Sequence, residues 1–177
     1  MRRLLLLRHA KAVAGGGKSG DHLRGLNERG RKDAAKMATA LQHNDYIPQL
    51  VLCSASKRTV ETWEHVAPEL DATPKVEFLE SLYLASWKTI AQTIRDDGGG
   101  APVLLVIGHN PGIEELAQAL LRKPQSEPER KQLDLLKEKF PTAALAVIDF
   151  AIDTWSEIST GTGALTDFIK PKSLTDE

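Results

Sequence analysis

Residues 4–7 are four consecutive leucines, and the run stops at Arg8 and His9. An apolar run this short and this uniform predicts a strand covered on both faces, as in a sheet buried between two layers. Such a strand must release its chain into a loop at its carboxyl end, and here the loop begins with an arginine and a histidine. Residues 103–107 repeat the pattern and end in Gly108-His109. Further strands are predicted at 50–53, just ahead of Ser54, at 75–79 and at 144–150.

Helical periodicity fills the intervals. Asn27 is placed to cap a helix reaching His43, with Ala34, Met37, Ala38 and Leu41 inward and Arg29, Arg31, Lys32 and Lys36 in solvent. Ser54 and Ser56 offer caps for a helix over 57–66, stopped by Pro68. Trp87, Ile90, Ala91 and Ile94 predict a helix over 86–94, closed by the Asp97-Gly98-Gly99-Gly100 run. Asn110 and Pro111 suit the start of a helix over 111–121. An exposed connection over 122–129 and a helix over 129–139 follow. A terminal hairpin is predicted from 154–158 and 165–169 around Gly161-Thr162-Gly163.

Strands alternating with helices predict an α/β fold, a three-layer α/β/α sandwich with a mostly parallel mixed sheet, as one domain over 1–177. Folds of this kind bind ligands at the carboxyl ends of their strands. Arg8, His9 and His109 all lie at such ends.

Charge narrows the function. Lys plus Arg total 23 against 24 for Asp plus Glu, so no global field favours nucleic acid or an anionic membrane, and an anion site must be local. No apolar stretch approaches the roughly 20 residues needed to cross a bilayer, and the leucine run is too short for a signal peptide. The lone Cys53 reads as a small buried thiol, which suits a reducing, cytoplasmic setting. His22, His43 and His65 lack metal-ligand spacing, and surface roles are expected for them. Gly15 to Gly20 carries the Gly-Lys-Ser tail of a P-loop without its first glycine, so nucleotide binding is excluded there. No metal or cofactor is expected.

Two histidines and an arginine at strand ends, with a second arginine in Ser54-Ala55-Ser56-Lys57-Arg58, are the parts of a phosphoryl site. A phosphoryl group carries diffuse negative charge, so catalysis is mainly positioning, neutralising its oxygens and presenting a nucleophile in line. Arginine supplies the forked donors that fit those oxygens. A cation about 4 Å from His9 opposes its protonation by roughly 4 kcal/mol at an effective dielectric near 20, so the arginines are expected to keep His9 neutral.

The ordered set of Arg8-His9, Ser54 with Arg58 and Thr62, and Gly108-His109 resembles the histidine phosphatase superfamily (branch 1), with its phosphoglycerate mutase-like fold. The Arg8-His9-Ala10-Lys11-Ala12 opening is similar to SixA-type phosphohistidine phosphatases. So are Asp21 to Asn27 with Arg29-Gly30, Gly108 to Gly112, and the closing Ile169-Lys170-Pro171-Lys172-Ser173-Leu174. The resemblance implies that His9 attacks phosphorus, that Arg8, Arg58 and His109 hold the phosphoryl oxygens with Asn110 contributing, and that water then cleaves the phosphoenzyme. Glu80 stands where many members carry their general acid. No Asp follows His109, so the acid of the phytase-like branch is absent. Gly25 replaces the family's usual Pro, and Asp21 and Arg24 could pair at the rim or touch substrate.

The implied substrate is a phosphohistidine-bearing phosphotransfer domain of a signalling protein, reached through a pocket that a short chain leaves open. Alternatives are a small-molecule phosphomonoester, a phosphoglycerate mutase-like transfer, and a non-catalytic phosphoprotein-binding domain. The last needs no nucleophile, and mutases of this superfamily are longer.

Overall fold

The computed structural model describes residues 1–15 and 17–174. Gly16, within the glycine run that lacks a P-loop's first glycine, lies outside them. Strand β1 (Arg2–Arg8) occupies an inner position of a six-stranded sheet. Around it stand β2 (Leu50–Ser54), β3 (Lys75–Leu79), β4 (Val103–Gly108), β5 (Leu145–Phe150) and β6 (Ala164–Ile169), in the order β3-β2-β4-β1-β5-β6. The first four in that order are parallel, and β5 and β6 are antiparallel additions.

Alternation along β1 explains the three layers. Leu4 and Leu6 pack into one core with α4 (Trp87–Asp97), α5 (Gly112–Leu120) and α6 (Glu127–Glu138). Leu5 and Leu7 pack into the other with α2 (Glu28–His43) and α3 (Lys57–Val66). All four leucines are fully buried. Each contributes roughly 2 kcal/mol by leaving water, enough to carry the polar residues at the strand's end into partial burial. The described helices include none long and apolar enough to cross a membrane.

Register builds the site. Arg8 pairs with Gly108 across β1 and β4, and Cys53 with Ile107 across β2 and β4. The His9 N–H donates to the Gly108 carbonyl at 3.0 Å, which sets His9 and His109 side by side as their strands end.

Helix caps are partly as expected. Asn27 Oδ1 accepts from the Gly30 N–H at 2.8 Å, and Ser86 from Thr89. Ser56 occupies the cap position of α3 without a side-chain capping bond, because its hydroxyl meets Thr59 Oγ1 at 2.6 Å. Ser54 does not cap either; its hydroxyl meets His109. Helix α6 starts before 129, because Ser126 caps it and Pro128 occupies its first turn. Between β1 and α2 the glycine-rich segment forms a short helix, α1 (Gly17–Gly20), and a 3-10 turn, Asp21–Leu23.

The terminal hairpin is corrected. Residues 155–157 form a 3-10 turn rather than a strand, and β6 pairs with β5. Trp155 is fully buried, its indole N–H donates to the Ala101 carbonyl at 2.8 Å, and Glu157 closes a capping box on Thr154. Core demand and capping together outweighed the strand-like spacing of 154–158. Cys53 is buried, and that burial pushes its thiol pKa up.

Candidate active site

His9 is 8% exposed and His109 2% exposed, their ring centroids 5.3 Å apart. His9 Nδ1 lies 2.7 Å from the Ala10 carbonyl. A carbonyl only accepts, so Nδ1 carries the proton and Nε2 keeps its lone pair. Burial is the main cause that lowers the His9 pKa to about 4, with Arg8, Arg58 and Arg24 adding to it. The cations thus act in the expected direction, while desolvation has the larger share. His109 is lowered to about 3, again chiefly by burial and then by His9 and Arg58.

The two arginines arrive from different elements. Arg8 ends β1, and its Nη1 donates to the Phe140 carbonyl at 3.1 Å. Arg58 sits in the first turn of α3 and is 2% exposed. Thr62, one turn further on, ties that helix to the nucleophile's loop. Its hydroxyl donates to the Arg58 carbonyl at 2.7 Å and accepts from the Ala10 N–H at 3.0 Å.

Arg8 Nε, Arg58 Nε and His109 Nδ1 are buried without a hydrogen-bond partner among the described residues. Buried donors are nearly always satisfied, and the three residues that carry these unpartnered atoms all line one cavity. That cavity measures about 440 Å³ and is lined in part by Arg8, His9, Asp21, Arg24, Arg58 and His109. The arrangement can hold a tetrahedral oxyanion against an imidazole lone pair. Among the described residues no cluster of acidic, His or Cys side chains could hold a metal ion.

Asp21 is the hub of the rim. Its Oδ1 accepts from Arg24 Nε at 3.0 Å and Nη2 at 2.9 Å, its Oδ2 from Arg58 Nη2 at 3.1 Å, and its backbone carbonyl from Arg58 Nη1 at 2.8 Å. Tyr83 also donates its hydroxyl to Oδ2. The Tyr83 bond, with help from the arginines, holds the Asp21 carboxyl well below the usual carboxylate range. The sequence alone does not single out Tyr83, whose only cue is its place three residues after Glu80.

Other expected residues are placed differently. Asn110 lines the cavity, but its Nδ2 donates to the Phe140 carbonyl at 3.0 Å and its Oδ1 accepts from the Glu114 N–H at 3.2 Å. Glu80 is not among the cavity's lining residues. Its side chain is 67% exposed and its Oε1 lies 2.7 Å from His22 Nε2. His22 in turn meets the Tyr83 ring edge-on at 4.7 Å, so it is more than the surface residue expected. Ser54 joins the site, its hydroxyl 2.8 Å from His109 Nε2.

Comparison with known proteins agrees with this geometry. The sequence pattern of the histidine phosphatase superfamily (branch 1) matches residues 4–83. An uncharacterized protein of Mycobacterium tuberculosis is 32% identical over 166 residues, covering 94% of this chain and all of the relative. A structure from Agrobacterium tumefaciens, assigned to the phosphohistidine phosphatase SixA, is 27% identical with a TM-score of 0.77, covering 96% of this chain and 98% of that one. A protein histidine phosphatase SixA complexed with tungstate shares the fold at a TM-score of 0.73 and 22% identity, covering 97% of this chain and 98% of that one. The chain belongs to the histidine phosphatase superfamily, branch 1, and is of the SixA type. Its activity is that of a phosphatase.

Proposed function

We propose that the chain removes the phosphoryl group from phosphohistidine on a signalling protein, through a covalent phosphohistidine intermediate on His9. The observation that carries this reading is the His9 ring, locked in one tautomer by Ala10 and held neutral beside two arginines with unpartnered Nε donors. The Nε2 lone pair attacks phosphorus as the bond to the substrate's imidazole breaks. Arg8 and Arg58 take the equatorial oxygens as their negative charge develops. With the Ser54 hydroxyl donating to His109 Nε2, the Nδ1 proton of His109 becomes a third donor, and Asn110 adds a fourth contact. Water then attacks the phosphorus on His9, the P–Nε2 bond breaks, and phosphate leaves carrying the water oxygen while His9 returns to neutral.

The poverty of acids in the cavity favours phosphohistidine over a phosphoester. Asp21 is held ionised by Tyr83, Arg24 and Arg58, and Glu80 points its carboxylate at His22. An alkoxide leaving group needs a proton from an acid such as these. An imidazole protonated at its far nitrogen leaves neutral, and histidine takes that proton with an ordinary pKa near 6.5. Glu80 then acts at one remove, orienting His22 against Tyr83. The same proposal sets the enzyme in the cytoplasm, in keeping with the free buried thiol of Cys53. A SixA of this fold holds tungstate, a tetrahedral oxyanion like the one the cavity is built to take.

The test is a turnover comparison between a phosphohistidine-bearing phosphotransfer domain and a panel of small phosphoesters, combined with rapid alkaline quench. The expected result is preference for the domain and an acid-labile label on the wild type that is missing from His9→Ala. Faster turnover of the esters would overturn the substrate, and a label that survives in His9→Ala would overturn the nucleophile.

A further inference from the structure

Beside the catalytic cavity lies a second groove of about 210 Å³, lined by Lys11, Arg29, Asp33, Thr142, Pro171 and Lys172 among others. Lys11 and Thr142 line both, so the two are immediate neighbours. Its three cations come from the segment just after His9, the first turn of α2 and the 3-10 turn Pro171–Ser173. The closing Lys170-Pro171-Lys172 motif, which the phosphoryl chemistry does not use, therefore folds back beside the nucleophile's loop. Close packing brings them together. A Cβ on Gly30 would sit 2.1 Å from the Lys11 carbonyl oxygen, so only glycine lets α2 approach this closely.

Charge is concentrated here. The two grooves together hold Arg8, Lys11, Arg24, Arg29, Arg58 and Lys172 against two carboxylates, Asp21 and Asp33. The whole chain carries a net charge of -1, so the positive face is not a by-product of a basic protein. A phosphoryl group of about two negative charges offsets only part of it. Lys11 and Lys172 are exposed and take part in no ion pair among the described residues. Asp33, by contrast, is buried and accepts from Arg29 at 3.3 Å.

Exposed apolar side chains stand near these charges. Leu84 lines the catalytic cavity and is 55% exposed. Val13 and Leu23, also exposed, lie on the segment that carries Arg24, whose Nη1 donates to the Val13 carbonyl. Exposed apolar side chains beside complementary charge are the composition of a protein-binding face.

Resting on the phosphohistidine reading above, we propose that the Lys11, Arg29 and Lys172 groove docks carboxylate side chains flanking the phosphohistidine of an acidic partner domain. The groove selects a protein substrate over a small one and speeds its encounter, as complementary charge does at other interfaces.

The experiment compares wild type, Lys172→Ala and Arg29→Gln/Lys172→Ala on an acidic phosphohistidine-bearing phosphotransfer domain and on free phosphohistidine, at low and physiological salt. The expected result is a rise in KM for the domain of about tenfold in the double variant and about threefold in the single one, with kcat unchanged. The salt dependence of kcat/KM should also flatten. Free phosphohistidine should be turned over within about twofold of wild type by both variants. Lys172 is exposed in a terminal turn, so its variant reads out docking even if loss of Arg29 disturbs Asp33. Equal losses on both substrates, no loss on either, or a loss confined to small substrates would overturn the docking groove. Wild type that hydrolyses phosphoesters and ignores the domain would sink the phosphohistidine reading and the groove with it. Wild type that turns over the domain beside indifferent variants sinks the groove alone.

Discussion

Strand β1 carries Arg3 near its start and Arg8 at its end, and these two have opposite fates. Arg3 donates its Nε and Nη2 to the two carboxylate oxygens of Asp149 at 2.8 and 2.9 Å, and Thr166 and the Tyr46–Asp167 pair complete the cluster. That bidentate bond raises the Arg3 pKa. Five residues on, Arg8 meets no carboxylate within hydrogen-bond reach among the described residues, keeps an Nε unpartnered by them, and has its pKa lowered by burial. The same side chain on the same strand is a fastener at one end and a donor with bonds to spare at the other. The lesson is that burial of a charge says little about function until its partners are counted, because a satisfied cation is spent on the fold and an unsatisfied one is free to serve something else.

The largest effect should come from the residue proposed as nucleophile. His9→Ala is expected to lower turnover by at least ~10³-fold and to abolish the covalent label, checked by steady-state rates and quench. Residual turnover within an order of magnitude of wild type would mean that the anion site works without this nucleophile.

The comparison itself is broken or sharpened by matched replacements. Arg8→Met should cut kcat/KM by ~10²-fold or more while leaving the unfolding free energy equal or higher, since a poorly paired, half-buried cation is removed. Arg3→Met should do the reverse, costing about 1–2 kcal/mol by stranding Asp149 while activity stays within about threefold. Urea melts beside kinetics distinguish the two, and equal stability losses would erase the contrast. Arg8→Lys should not rescue activity, because a point charge lacks the fork.

Acid should act through the histidines of the cavity. An unfolded chain protonates its histidines as pH falls through about 6.5, whereas His9 and His109 stay neutral in the fold until about 4 and about 3. The unfolded state then binds more protons, so stability falls as pH drops from 6.5 towards 4, by on the order of 3 kcal/mol for His9 alone. Denaturation midpoints at successive pH values check this, and millimolar inorganic phosphate at neutral pH should raise the melting temperature of wild type but not of Arg8→Met. The smallest effect belongs to Glu80→Gln, expected to change kcat/KM by less than about threefold, since the carboxylate is exposed and acts through His22. A drop near 10²-fold would restore Glu80 as an acid.

Much of this could be read from the chain alone, because strands and helices are set by residues close in sequence. The leucine run of β1, the apolar run of β4 and the Asn27 cap depend on neighbours within a few residues, and each stands where its pattern placed it. Arg8, His9, Arg58 and His109 were also visible, as polar residues released by strand ends and as a family pattern. The strand expected over 154–158 gives way to a turn because Trp155 has an alternating neighbourhood but packs into a core whose other members come from distant parts of the chain.

What the amino-acid order determined by itself was therefore a buried, mostly parallel sheet that delivers an arginine and two histidines at the carboxyl ends of its strands. Only the tertiary structure decided which buried donors go unmet, that Tyr83 and two arginines share the Asp21 carboxylate, that Glu80 turns away to His22, and that Lys172 returns to stand with Lys11. The reason is physical: hydrogen-bond satisfaction and local field are properties of what surrounds an atom in space. Those surroundings are assembled from segments whose spacing along the chain carries no trace of their meeting.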